Sequence, residues 1–89
     1  MGEPVSKKTI RAIVVLAEAD PSILKIKRKL SIYLAPEEVV LQLTAVFKKG
    51  LTTEQITNSI NTITKKIQQQ FPLIKQIFIE PVDNDRAMA

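Results

Sequence analysis

One stretch of the chain combines a helix pattern with a strand pattern, separated by a proline. It is LTTEQITNSINTITKKIQQQFPLIKQIFIEP, residues 51–81. Thr52 and Gln55 form a capping-box pattern at the start of the helix, and Pro72 ends it. Large apolar residues recur at steps of four, three, four and four, namely Ile56, Ile60, Ile63, Ile67 and Phe71. This spacing predicts one continuous apolar stripe that lies on a sheet. Residues 73–81 are the predicted last strand.

Two further strands are predicted before this stretch. Residues 23–34 alternate, and the side chains expected to point toward the helices are Leu24, Ile26, Leu30, Ile32 and Leu34. Those expected to point away are Lys25, Lys27, Lys29, Ser31 and Tyr33. Arg28 is the single polar residue in the apolar set. Residues 39–48 form the second strand, with five residues directed inward: Val39, Leu41, Leu43, Ala45 and Phe47. A turn at residues 35–38 makes the pair an antiparallel hairpin.

The first helix is predicted over Val5–Ala19 and is stopped by Asp20-Pro21, because a residue before proline is disfavoured in the helical region. The order is therefore α-β-β-α-β. Two helices and three strands share a core only if both helices lie on one sheet face, with the last strand parallel to the second or beside the first. We expect an α+β, ferredoxin-like fold in a single domain over residues 1–89, with an ordered core at about 5–82 and a polar tail at 83–89.

The composition excludes several classes of function. The chain has 89 residues, a formal charge of +4 and neither histidine nor cysteine. Its 45% apolar and 25% charged residues are typical of an ordinary soluble domain. Without imidazole or thiol, with only two glycines and with no serine in a recognisable nucleophile elbow, the chain lacks the usual means of catalysis. We predict that it is not an enzyme and that it has no cofactor.

Metal and nucleic-acid sites are the remaining chemistries to consider. Zinc and softer metals prefer imidazole or thiolate ligands, so only a carboxylate site for a hard cation is open. Its candidates are Glu37, Glu38, Glu80, Asp83 and Asp85. Lys25, Lys27 and Lys29 share one predicted strand face, which either follows phosphates or is a solvated face that discourages edge pairing. We favour the solvated face, because Tyr33 is the one aromatic residue near the lysines.

Four segments in order resemble the cytoplasmic C-terminal domain of cation diffusion facilitator transporters, which export divalent cations. They are LAEADPSI (16–23), LKIKRKLSIYLAPEEVVLQLTAVF (24–47), GLTTEQITNSINTITKKIQQQFP (50–72) and IKQIFIEP (74–81). The resemblance covers roughly Ile10 to Pro81. It implies a homodimer at the cytoplasmic face of a membrane. It also implies as partners the transmembrane domain of the same transporter and the divalent cation that the full-length protein carries.

The resemblance also bears on metal ligands. Where metal-sensing members of the family have histidines, this chain has Lys27, Thr57 and Phe78. The acidic position of the family is kept as Glu80. A lysine repels a divalent cation and phenylalanine has no lone pair to offer. Glu80 is thus the one retained ligand-like position, and it is not a site by itself.

Dimerisation is the function that remains under this resemblance. The interface candidates, expected on the sheet face away from the helices, are Tyr33, Val40, Val46, Ile74 and Phe78. We therefore hypothesise a regulatory and dimerising cytoplasmic domain of a cation efflux transporter. The alternative is a free-standing ferredoxin-like module that binds RNA or a small anionic ligand through Lys25, Lys27 and Lys29.

Overall fold

The computed structural model describes residues 6–35 and 38–83. Its elements are α1 (Lys7–Glu18), β1 (Ile23–Ala35), β2 (Glu38–Phe47), α2 (Thr53–Gln70) and β3 (Ile74–Asp83). The predicted ferredoxin-like α+β order is confirmed. The last strand continues to Asp83, two residues beyond its predicted end. The metal candidates Glu37 and Asp85 lie outside the described residues, as do Val5 and the tail after Asp83.

One three-stranded sheet has the order β1-β2-β3. β1 and β2 are antiparallel, as the predicted hairpin requires, and β3 is parallel to β2. Of the two placements open to the last strand, the structure has the one beside β2. The central strand is therefore β2, with α2 connecting it to the parallel strand β3.

Both helices pack on the same face of this sheet. The buried core combines residues from α1, α2 and alternate positions of β2, namely Ile13, Ala17, Ile63, Ile67, Val39, Leu41, Leu43, Ala45 and Phe47. The predicted stripe of α2 is confirmed, because its other members pack against this core. The capping box is also present: Gln55 N donates to Thr52 Oγ1 at 3.1 Å and Thr52 N donates to Gln55 Oε1 at 2.9 Å.

The predicted alternation of β1 is wrong beyond its first residues. Three bulges insert Leu24, Lys27 and Leu34 as extra residues opposite β2. Side chains alternate with a period of two, so each extra residue transfers those that follow to the other face. Leu30 and Ile32 pair with Gln42 and Val40 and so lie on the face away from the helices. Leu24 and Leu34 are exposed rather than buried.

A side-chain hydrogen bond from α1 supports the second bulge. The Glu18 carboxylate accepts the N–H of Ile26 at 2.9 Å, immediately before the extra residue Lys27. Ile26 itself still packs against the core, as predicted. The last turn of α1 thus holds β1 at the point where its side chains change faces.

Asp20 joins the turn after α1 to the middle of α2. Its Oδ1 accepts the N–H of Ser22 at 2.8 Å and the hydroxyl of Ser59 at 3.2 Å. Among the described residues, Ser59 is the one polar residue that is buried. One carboxylate therefore fixes both the start of β1 and the position of α2.

Replacing Asp20 with alanine should lower the free energy of unfolding by about 1.5–3 kcal/mol, the usual range for hydrogen bonds to a charged group. Urea unfolding followed by circular dichroism measures this loss. Ser59→Ala is the control, because it removes one of the two bonds and leaves the turn bond to Ser22 in place. Asp20→Ala with no greater loss than Ser59→Ala would show that the turn bond contributes nothing.

Candidate functional site

The sheet face that points away from the helices is not covered by any described element, and we call it the open face. Its residues, read from the register across β1, β2 and β3, are Lys25, Arg28, Leu30, Ile32, Val40, Gln42, Thr44, Val46, Gln76, Phe78, Glu80 and Val82. The alternation of β2 and β3 and the bulges of β1 produce this set. The bulges matter most, because they add two large apolar residues to it.

An apolar cluster occupies one end of the open face, formed by Leu30, Ile32, Val40 and Phe78. Ile32 pairs with Val40, and in the next row Gln42 lies between Leu30 and Phe78. Leu30 is 50% exposed, Ile32 41% and Phe78 56%. Large side chains left this exposed and this close together are typical of an interaction surface.

The middle of the open face is charged. Arg28, Thr44 and Glu80 form one row across the three strands. The Thr44 hydroxyl donates to Glu80 Oε1 at 3.4 Å, which is a long hydrogen bond. Lys27 and Glu80 also line one cavity of about 380 Å³, together with Pro81, Val82 and Asp83. Charges of both signs thus adjoin the apolar cluster, an arrangement common at the rim of a protein interface.

Of the candidate carboxylates that the structure describes, Glu80 and Asp83 line one cavity, and Glu38 lies apart from them. Glu38 lies at the start of β2, whereas Glu80 pairs with Thr44, six residues further along that strand. Within residues 6–35 and 38–83, no group of three histidine, cysteine or acidic side chains could hold a metal ion. Thr57 is exposed on α2, in the helix layer, away from Lys27, Phe78 and Glu80. The donor set around Glu80 therefore does not fit a zinc site.

The predicted basic face does not exist as one surface. Lys25 pairs with Val46 on the open face, while Lys29 pairs with Leu43, whose side chain is in the core layer. Lys27 is the extra residue of the bulge between them. The three lysines therefore do not form the continuous track along a strand that the RNA-binding alternative requires.

The predicted interface residues divide in the same way. Val40, Val46 and Phe78 lie on the open face, although Val40 and Val46 are both buried there. The prediction for Ile74 is wrong: this residue is buried in the core beneath the helices. Tyr33 is exposed but pairs with Val39, a core residue, so its register is also that of the helix face. Sequence reasoning missed Leu30 and Ile32, for which the polar Arg28 within the apolar set was the available signal.

The order and packing of the elements define a ferredoxin-like α+β domain. Comparison with solved structures finds the same fold in the C-terminal domain of MamM (MamM CTD). A triple-substituted variant of that protein has a TM-score of 0.78 at 13% sequence identity, over 88% of this chain and 94% of that chain. A nickel form of another variant has a TM-score of 0.79 at 13% identity, over 89% and 99%. A copper form of a third gives 0.78 at 13% identity, over 88% and 96%. At this identity the likeness establishes the fold.

Two other comparisons give no match. No protein-family model matches the chain, and no curated protein matches it. In the described part of the chain, neither helix has the length and apolar character needed to cross a membrane.

Proposed function

We propose that this chain is the cytoplasmic regulatory and dimerising domain of a cation diffusion facilitator transporter, which exports divalent cations. The observation that carries the proposal is the fold shared with MamM CTD over nearly the full length of both chains. MamM belongs to the cation diffusion facilitator family. The four sequence segments that resemble this family support the same assignment, and they extend over the same elements.

In this proposal the open face is the surface at which two copies meet. Leu30, Ile32 and Phe78 expose apolar area in one cluster, and burying it against a second copy is favourable at about 25 cal/mol per Å². The row of Arg28 and Glu80 beside the cluster offers both charges to a two-fold related copy. The role of the domain is to hold two transporter subunits together at the cytoplasmic face of the membrane, without catalysis.

Metal has no part in holding this dimer. Related structures include nickel, copper and zinc forms of MamM CTD variants. In this chain Lys27 places a cation beside Glu80, and Phe78 places a ring in the apolar cluster. Lys27 repels cations, and Phe78 packs against apolar groups. Both residues therefore favour an interface without an ion.

Zinc or manganese added to the chain should therefore bind no more tightly than millimolar, the strength expected of a sparse carboxylate site. Titration calorimetry measures the affinity, and thermal unfolding should show no shift of the melting temperature with metal. Glu80→Ala is the control for the one ligand-like residue. A stoichiometric micromolar site that disappears in Glu80→Ala would contradict the assignment.

The transporter assignment is tested with the complete gene product in cells that lack their own divalent-cation exporters. We expect it to contain transmembrane segments and to confer resistance to at least one divalent metal. Deleting residues 6–83 should reduce that resistance while the protein still reaches the membrane. A gene product without transmembrane segments, or full resistance after the deletion, would refute the assignment.

A further inference from the structure

A groove of about 600 Å³ lies between α1 and β1, on the helix side of the sheet and apart from the charged row of the open face. Its lining residues are Lys7, Ile10, Arg11, Lys29, Leu30 and Ser31. Lys29 and Ser31 reach it because the second bulge turns them toward the helix layer, opposite Leu43 and Leu41. The register shift that builds the open face therefore also builds this groove.

Three cations and no carboxylate line the groove among the described residues. Lys7 and Arg11 are four residues apart, on one side of α1, and Lys29 approaches from the neighbouring strand. The nearest acidic residue of α1, Glu18, is engaged with the Ile26 N–H at the far end of the helix. Like charges gathered around one groove repel each other, and a bound anion relieves that repulsion.

The position of Lys7 adds to this imbalance. It occupies the first turn of α1, and that turn contains no acidic residue. A cation there opposes the positive end of the helix dipole and disfavours the helix in the absence of an anion. Arg11 supplies a planar guanidinium that can donate two hydrogen bonds to one phosphate.

Beside the three cations the groove has one apolar side chain that faces it from α1, and Ser31 from β1. Ile10, half-buried, shares the lining with the three cations, whereas the Leu30 side chain belongs to the open face. No aromatic side chain is among its lining residues in the described part of the chain, so these residues offer no platform on which a nucleic-acid base could stack. A ligand that satisfies both parts of the groove carries a phosphate and an attached hydrocarbon.

We propose that this groove binds the phosphate group of an anionic phospholipid, with Lys7, Arg11 and Lys29 around the headgroup and Ile10 against its apolar part. The inference rests on the groove alone and does not require the transporter assignment. It gives the domain a direct contact with lipid in addition to the contact between its two copies.

Co-sedimentation with vesicles of phosphatidylserine in phosphatidylcholine, at low and high salt, tests the proposal. The chain should bind these vesicles and should not bind phosphatidylcholine alone. Replacing Lys7, Arg11 and Lys29 together with glutamine should weaken binding about a hundredfold, since each cation near an anionic surface contributes about fivefold. Arg11→Gln alone should weaken it about fivefold, which keeps the test valid if the triple variant unfolds.

The matched control replaces Lys65, Lys66 and Lys75, exposed cations of α2 and β3, with glutamine. Both triple variants lower the formal charge from +4 by three, to +1. The control should retain most of the vesicle binding. Equal losses of vesicle binding in the two triple variants would show that only net charge matters, and would overturn the site. Absence of binding by the unaltered chain would also overturn it.

Two competitors separate the lipid from other anions. Inorganic phosphate should displace the vesicles poorly, because it has nothing to place against Ile10. A short single-stranded RNA should also compete poorly, because none of the described residues that line the groove is aromatic. Displacement by phosphate as effective as that by soluble short-chain phosphatidylserine would make this a free-anion site and overturn the proposal. RNA binding tighter than vesicle binding, and lost in the groove variant, would overturn it in favour of nucleic acid.

Discussion

Replacing Ile63 with alanine should lower the free energy of unfolding by about 2–5 kcal/mol, the range for a large-to-small change in a packed core. Ile63 lies in the middle of the α2 stripe and is 1% exposed. It belongs to the single cluster that joins both helices to the sheet, so the cavity left by its side chain affects every layer of the domain. Urea unfolding at a fixed protein concentration measures the loss, because the proposed self-association would also contribute to stability.

Thr57→Ala is the control for this prediction. Thr57 lies on the same helix, is exposed, and should change the free energy of unfolding by no more than about 0.5 kcal/mol. Similar losses at Ile63 and Thr57 would mean that α2 does not pack through its isoleucine stripe.

Replacing Phe78 with lysine should weaken self-association at least 30-fold, or about 2 kcal/mol, as expected for an aromatic residue at the centre of an interface. Phe78 is 56% exposed in the apolar cluster of the open face, in the row of Leu30. A charge introduced there must be desolvated when two copies meet. Sedimentation equilibrium of the two proteins at several concentrations gives the dissociation constants.

Val15→Lys is the matched control for the interface. Val15 is 68% exposed, similar to Phe78, but it lies on α1 in the helix layer. Its replacement should leave the dissociation constant unchanged and the fold intact by circular dichroism. An equal weakening by both substitutions would show that general surface charge, and not the open face, controls association.

The elements that sequence reasoning predicted correctly are those whose pattern is local and unbroken. The isoleucines of α2 keep helical spacing over three steps, and β2 alternates without interruption from Val39 to Phe47. Thr52 and Gln55 also act within one turn of helix. In each case neighbouring residues alone determine the face that is buried, so the sequence is sufficient.

β1 could not be predicted in the same way because its register depends on contacts with other elements, namely α1 and β2. The bulge at Lys27 is supported by Glu18 from α1, eight residues before Ile26. Once an extra residue enters, every later side chain of the strand changes face. This one change explains three wrong predictions: the lysine face, the inward orientation of Leu30 and Ile32, and the outward orientation of Tyr33. Ile74 failed for a related one, because the β2–β3 register shifts immediately after it.

Two copies of this chain should associate through the open face without metal, and the mass of the chain in solution tests this association. Sedimentation equilibrium in the presence of a chelator, from micromolar to millimolar concentration, should reach twice the chain mass of 10.0 kDa at high micromolar concentration. The Phe78→Lys variant should remain at the mass of one chain at the same concentration. A monomer up to millimolar concentration, or a dimer that forms only when zinc is added, would contradict metal-free association through the open face.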